Sequence, residues 1–119
     1  MSLALPLASS KRSFQVKRSE NGLHGHFKPL AQLEADEAYS WYQQDHIKIG
    51  ATFLEQLGRT TEFLTSNPHL YPCVEQDLRR ANLNQFPYPL FYVIDGDTVN
   101  VLSCLHQHRD PTQLIPRIG

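Results

Sequence analysis

Two imidazoles and a guanidinium sit close together near the C-terminus, as His106, His108 and Arg109 in the stretch LHQHRD. RNA cleavage needs a base for the 2′-hydroxyl proton, an acid for the leaving oxygen and a cation for the charge building on phosphorus, and these three side chains could supply all of them. In a continuing strand, i, i+2 spacing would put both imidazoles on one side. At a polar strand end the same residues also read as ordinary surface structure, so the set is sufficient for catalysis without requiring it. A second set is the two His-x-His steps, His24/His26 and His106/His108, which could hold zinc if their strands were neighbours. No cysteine or carboxylate spacing accompanies them, and the expectation is no metal and no cofactor. Arg79 and Arg80, adjacent in an extended run, should point to opposite faces, so one could serve a groove and the other would be edge charge. Cys73 and Cys104 lack CxxC spacing and are expected to be buried free thiols in a reducing compartment.

These residues sit in a chain of 119 residues, one domain's worth, with 11 Lys and Arg against 12 Asp and Glu and a net charge of −1. No overall positive field draws it toward nucleic acid or an anionic membrane, so a nucleic-acid role needs a local patch. No apolar run has the length of a membrane span, and LALPLASS is broken by Pro6 and followed, not preceded, by Lys11 and Arg12. A soluble, cytoplasmic protein without membrane contact is expected.

Residues 1–21 lack sustained periodicity and read as a loose arm or one marginal strand. Leu23 to Lys28 is read as the first strand, stopped by Pro29, which suits the first turn of a helix. Ala31, Ala35, Ala38 and Tyr42 then recur at helical spacing. Asp45 is placed to cap a second helix carrying Gly50, Phe53, Leu54, Leu57, Thr61 and Leu64 on one stripe, ended by Asn67-Pro68. So short a link predicts an antiparallel helical hairpin. Tyr39, Trp41 and Tyr42 could stack on bases, but aromatics at a helix end more often pack into a core, and that is the expectation. After the Pro-rich NPHLYPCVEQD come extended runs at Leu78 to Gln85, Tyr88 to Asp95 and Thr98 to Leu105, the last two joined at Asp95-Gly96-Asp97. The fold class is therefore α+β: an N-terminal strand, a helical hairpin and a three-stranded antiparallel meander, with the helices on one face of the sheet.

FKPLAQLEADEAYSWYQ at the first helix, TSNPHLYP after the second, LRRANLNQFPY into the sheet and VIDGDTVNVLSCLHQHRDP at the end resemble, in that order, the RelE/ParE toxin superfamily of toxin–antitoxin modules, often called plasmid stabilization proteins. The similarity covers residues 23 to 112 or so; residues 22–112 are read as the toxin domain, 1–21 as an arm and 113–119 as a tail. FPY followed by a hairpin and LHxxRDP looks like the ParE branch. The resemblance implies a toxin that inhibits DNA gyrase by binding and is neutralised by a cognate antitoxin, meeting operator DNA only through the antitoxin complex; it allows a homodimer. Arg79, Arg80, Tyr88, Tyr92 and Arg109 are the implied contacts to partner or target. The alternatives are a RelE-like, ribosome-dependent mRNA endoribonuclease using His106, His108 and Arg109, or a degenerate relative that binds an antitoxin without toxicity.

The chain departs from that pattern at Pro89, where relatives usually carry arginine after FPY, and in its near-neutral charge. Proline can neither donate to a sheet ladder nor hold charge. Both departures weigh toward a binding protein and against a nuclease that grips phosphates.

Overall fold

The computed structural model describes residues 23–106 and 110–118, so the N-terminal arm, His108 and Arg109 lie outside the described residues. Strand β1 (His24–Phe27) leads into helix α1 (Pro29–Asp45) and helix α2 (Ile47–Ser66), followed by β2 (Cys73–Glu75), β3 (Leu78–Ala81), β4 (Leu90–Asp95), β5 (Thr98–Ser103) and a 3-10 helix at Pro111–Arg117. The five strands form one sheet in the order β1-β5-β4-β3-β2. β2 to β5 are antiparallel, whereas β1 pairs in parallel with β5, His24 opposite Thr98 and Phe27 opposite Val101. The expected α+β architecture is present. The expected N-terminal strand and meander are both present; the sheet is mixed, with β1 at one edge and, at the other, an additional strand, β2, that was not expected.

A single residue joins the helices, and the cap is His46 rather than Asp45: its backbone is extended and its Nδ1 accepts the Lys48 N–H at 3.0 Å. An imidazole nitrogen can do here what a carboxylate does at most N-caps. Close approach of the two helices occurs at Gly50, where an added Cβ would lie 3.0 Å from the Gln43 backbone. Only a residue without a side chain fits that contact without displacing α1.

Alternation along the strands divides the apolar residues between two layers. On the helical face, Phe27, Ala81, Leu90, Tyr92, Val99, Val101 and Cys104 pack against Ala31, Ala35 and Ala38 of α1 and Phe53, Leu57 and Leu64 of α2. On the opposite face, Leu78, Phe91, Val93 and Leu102 are covered by Leu114 of the 3-10 helix. Asp110 starts that helix by accepting the Thr112 N–H at 3.0 Å. Asp110-Pro111 is thus a helix start, well after β5 has stopped at Ser103.

The prolines define where β4 begins. Pairing starts at Leu90, after Pro89 rather than at Tyr88, because a residue without an N–H cannot extend the ladder. Pro89 is itself buried. Opposite the Phe91–Tyr92 step, β5 carries Leu102 as an extra residue, a bulge at the strand end that leads toward His106. The turn after Asp95 uses Gly96 at φ 61, a conformation glycine reaches without strain.

Candidate functional site

Helix α1 and the segments flanking β4 and β5 enclose a cleft of about 240 Å³ lined by Glu34, Glu37, Ala38 and Trp41 from the helix, by Tyr88 just ahead of β4, and by Cys104, Leu105 and His106 just after β5. An aromatic cluster supports its floor. Phe53 stacks at 5.4 Å on Tyr42 and meets Phe86 and Tyr88 edge-on at 5.3 and 5.9 Å; Tyr88 in turn meets the His106 ring edge-on at 5.4 Å. Such packing fixes Tyr88 and His106 by shape, as tilted and edge-on aromatic contacts do.

Glu34 anchors the other wall. Its Oε1 accepts the Cys104 N–H at 3.0 Å, and its two oxygens take the Arg117 guanidinium, with Nη2 to Oε2 at 3.1 Å. Arg117 also donates to the Leu102 carbonyl at 2.9 Å. One carboxylate therefore ties together α1, the end of β5 and the 3-10 helix. Glu37, one turn on, is exposed and has no ion-pair partner among the described residues.

Two ionisable groups of the cleft, the Cys104 thiol and the Tyr88 phenol, are held neutral. Burial, reinforced by Glu34, pushes the Cys104 thiol up to about 12, and burial, reinforced by Cys104, raises the Tyr88 phenol. A thiol so placed is no nucleophile at neutral pH. Of the two cysteines, only Cys104 is buried; Cys73 lies exposed on edge strand β2. Native protein treated with iodoacetamide at pH 8 should accordingly alkylate at Cys73, with Cys104 reacting only after denaturation. Comparable rates at both thiols would contradict the burial of Cys104. In linkage terms, a thiol raised from 9 toward 12 adds stability that is complete below pH 9 and is lost as pH rises through 12.

Among the described residues, those nominated from the sequence do not converge on one point, and His108 and Arg109 lie outside the described residues. His106 and Tyr88 share the cleft. Arg79 and Arg80 do lie on opposite faces, opposite Tyr92 and Phe91 respectively. Arg79 donates to the carbonyls of His69 and Tyr71, and Arg80 bonds Asn82 at 3.0 Å and lies 5.9 Å over the Phe91 ring. Tyr92 is a core residue rather than a contact surface: it is fully buried, its hydroxyl donates to the Pro68 carbonyl at 2.7 Å, and burial pushes its phenol up to about 12. His24 and His26 sit in register with Thr98 and Asn100, and no metal-holding cluster of His, Cys, Asp or Glu occurs among the described residues. No described helix is long and apolar enough to cross a membrane.

Trp41 corrects the core expectation for its cluster. Tyr39 and Tyr42 pack against the core, but Trp41 is 68% exposed, in line along α1 with Leu30 and Leu33, each 52% exposed. The i, i+3, i+11 spacing of that apolar line was visible in the sequence. A second apolar region joins Phe63, Leu70 and Val74, all exposed, with Phe63 edge-on to Tyr71 at 6.1 Å beside the carbonyls that hold Arg79.

Comparison with known proteins follows the same outline. The family described as ParE toxin of type II toxin-antitoxin system, parDE, matches residues 26–111. Among solved structures, the chromosomal ParDE TA system from P. aeruginosa is similar, with a TM-score of 0.63 and 13% identity over 73% of this chain and 98% of that one. At that identity the likeness is one of fold. A search of curated protein sequences finds no match.

Proposed function

Since the chain belongs to the ParE toxin family of type II toxin–antitoxin systems, we propose that it is a non-catalytic toxin that binds and inhibits DNA gyrase until a cognate antitoxin covers it. The observation that carries the non-catalytic part is the sign of charge in the α1–β5 cleft. Its described lining holds the Glu37 carboxylate, the Glu34 carboxylate already matched by Arg117, a buried thiol, a phenol of raised pKa and one imidazole, His106, with no lysine or arginine at the place where a nuclease needs cations. A phosphorane dianion there would meet repulsion, and losing one charge-assisted contact to such a state already costs about 3 kcal/mol. Pro89, buried ahead of β4, supplies no replacement.

For the antitoxin, the better surface is the second apolar region. Phe63, Leu70 and Val74 lie beside Arg79 near the outer edge of β2, where unpaired backbone groups can accept an added strand. A partner segment with apolar and acidic side chains fits that combination.

Two assays separate the readings. Purified protein should block supercoiling of relaxed plasmid by gyrase and leave ribosome-bound mRNA intact, and Pro89→Arg should not create cleavage. Codon-dependent cleavage by the native chain, abolished by His108→Ala, would replace this function with the endoribonuclease. A stable complex with the product of the neighbouring reading frame, without any block of supercoiling, would identify the degenerate relative instead.

A further inference from the structure

The outer face of α1 combines exposed apolar and acidic side chains with no cation of its own. The helix carries Glu34, Asp36, Glu37 and Asp45 and neither Lys nor Arg. Of these, Glu34 is matched by Arg117, while Glu37 lies on the exposed line with Leu30, Leu33 and Trp41. Water does not favour such a line of half-exposed leucines and a tryptophan, and an acidic partner would be repelled from it.

The complementary chemistry lies in the same chain. Residues 11–18 read KRSFQVKR, two basic pairs flanking Phe14 and Val16, and the residues before Leu23 contain Lys11, Arg12, Lys17 and Arg18 against a single acid, Glu20. The described portion is correspondingly acidic, since it holds the other eleven carboxylates. Lengths also agree: Leu30 to Trp41 spans about 16 Å of helix, and an extended eight-residue segment covers about 25 Å. Four residues, Ser19 to Gly22, separate the segment from Leu23, which is fixed by its N–H bond to the Thr65 carbonyl at 2.8 Å.

We propose that Lys11–Arg18 docks on the outer face of α1, laying Phe14 and Val16 on Leu30, Leu33 and Trp41 and setting its basic pairs against Glu37 and the neighbouring carboxylates. The chain thereby screens its own acidic helix. This goes beyond the toxin assignment and does not depend on it.

Trp41 is the chain's single tryptophan, so its fluorescence reads the docking directly. Full-length protein is compared with a variant carrying Lys11→Ser, Arg12→Ser, Lys17→Ser and Arg18→Ser, and with Glu37→Lys, using the neutral quencher acrylamide at low salt. The variants should show roughly twofold stronger quenching and a red-shifted emission, because quenching tracks the fraction of undocked chains. Raising salt to about 1 M should move the native protein toward the variants, as screening shortens the reach of surface charge to about 3 Å. Equal quenching in native and arm-neutralised protein at low salt overturns the proposal. So does shielding that rises with protein concentration, which would make the occupant a second copy of the chain.

Discussion

Replacing Phe53 with alanine is expected to lower unfolding stability by about 3–5 kcal/mol, the range for removing a buried aromatic side chain. Phe53 is fully buried and contacts Tyr42, Phe86 and Tyr88 at ring separations below 6 Å. A loss of that size is a large part of the roughly 5–15 kcal/mol available to a domain. Urea denaturation should show a lower midpoint with an unchanged m-value. Phe53→Leu, which keeps most of the volume, should cost much less. Because Phe53 backs Tyr88, and Tyr88 backs His106, the alanine variant should also broaden the NMR signals of the His106 ring while leaving those of His24 sharp. A loss below about 1 kcal/mol would mean that the cluster collapses around the gap and does not hold the cleft wall.

Arg117→Ala is the second substitution expected to have a large effect. It removes a two-pronged contact to Glu34 and a bond to the Leu102 carbonyl, at side-chain exposures of 27% for Arg117 and 13% for Glu34. Breaking a fully buried pair costs about 3–5 kcal/mol; for this partly wet one, about 2 kcal/mol is expected. The pair should be coupled: Glu34→Gln and Arg117→Ala together should cost less than their sum, by about 1 kcal/mol or more. The Cys104 amide, held by Glu34, should lose hydrogen-exchange protection in both single variants. Additive effects with Cys104 protection unchanged would show that Arg117 contributes packing alone.

What could be read in the sequence follows the range of the interactions involved. The helical hairpin and the β3–β4–β5 meander are encoded by local periodicity and turn residues, and they appear with boundaries moved by a few residues. β2 was hidden because three residues among prolines carry too little pattern to register. The 3-10 helix was hidden for the same reason, and its single buried leucine, Leu114, is meaningful only once the sheet face it covers exists. Site residues fared less evenly. Tyr88 and His106 do meet, because both lie at the ends of predicted strands. Glu34 and Arg117, by contrast, come from distant parts of the chain, and no spacing rule relates them. Tyr92 was a contact implied by the resemblance alone, and strand alternation could not have excluded it, because alternation does not say that both faces of a sheet will be covered, as they are here.

The parallel pairing of β1 with β5 has a consequence for the time course of folding. Helices α1 and α2 and the β4–β5 hairpin need only neighbours in sequence, so each can form as soon as it exists. The edge formed by His24–Phe27 must wait for Thr98–Val101, almost the whole domain later. Contacts so far apart are slow to close. During synthesis, at roughly 5–20 residues per second, the first strand would stand unpaired for several seconds after it leaves the ribosome. A nascent chain therefore carries its helical hairpin early and completes its sheet last, so a prematurely terminated product lacking β5 cannot complete the edge that anchors the start of α1.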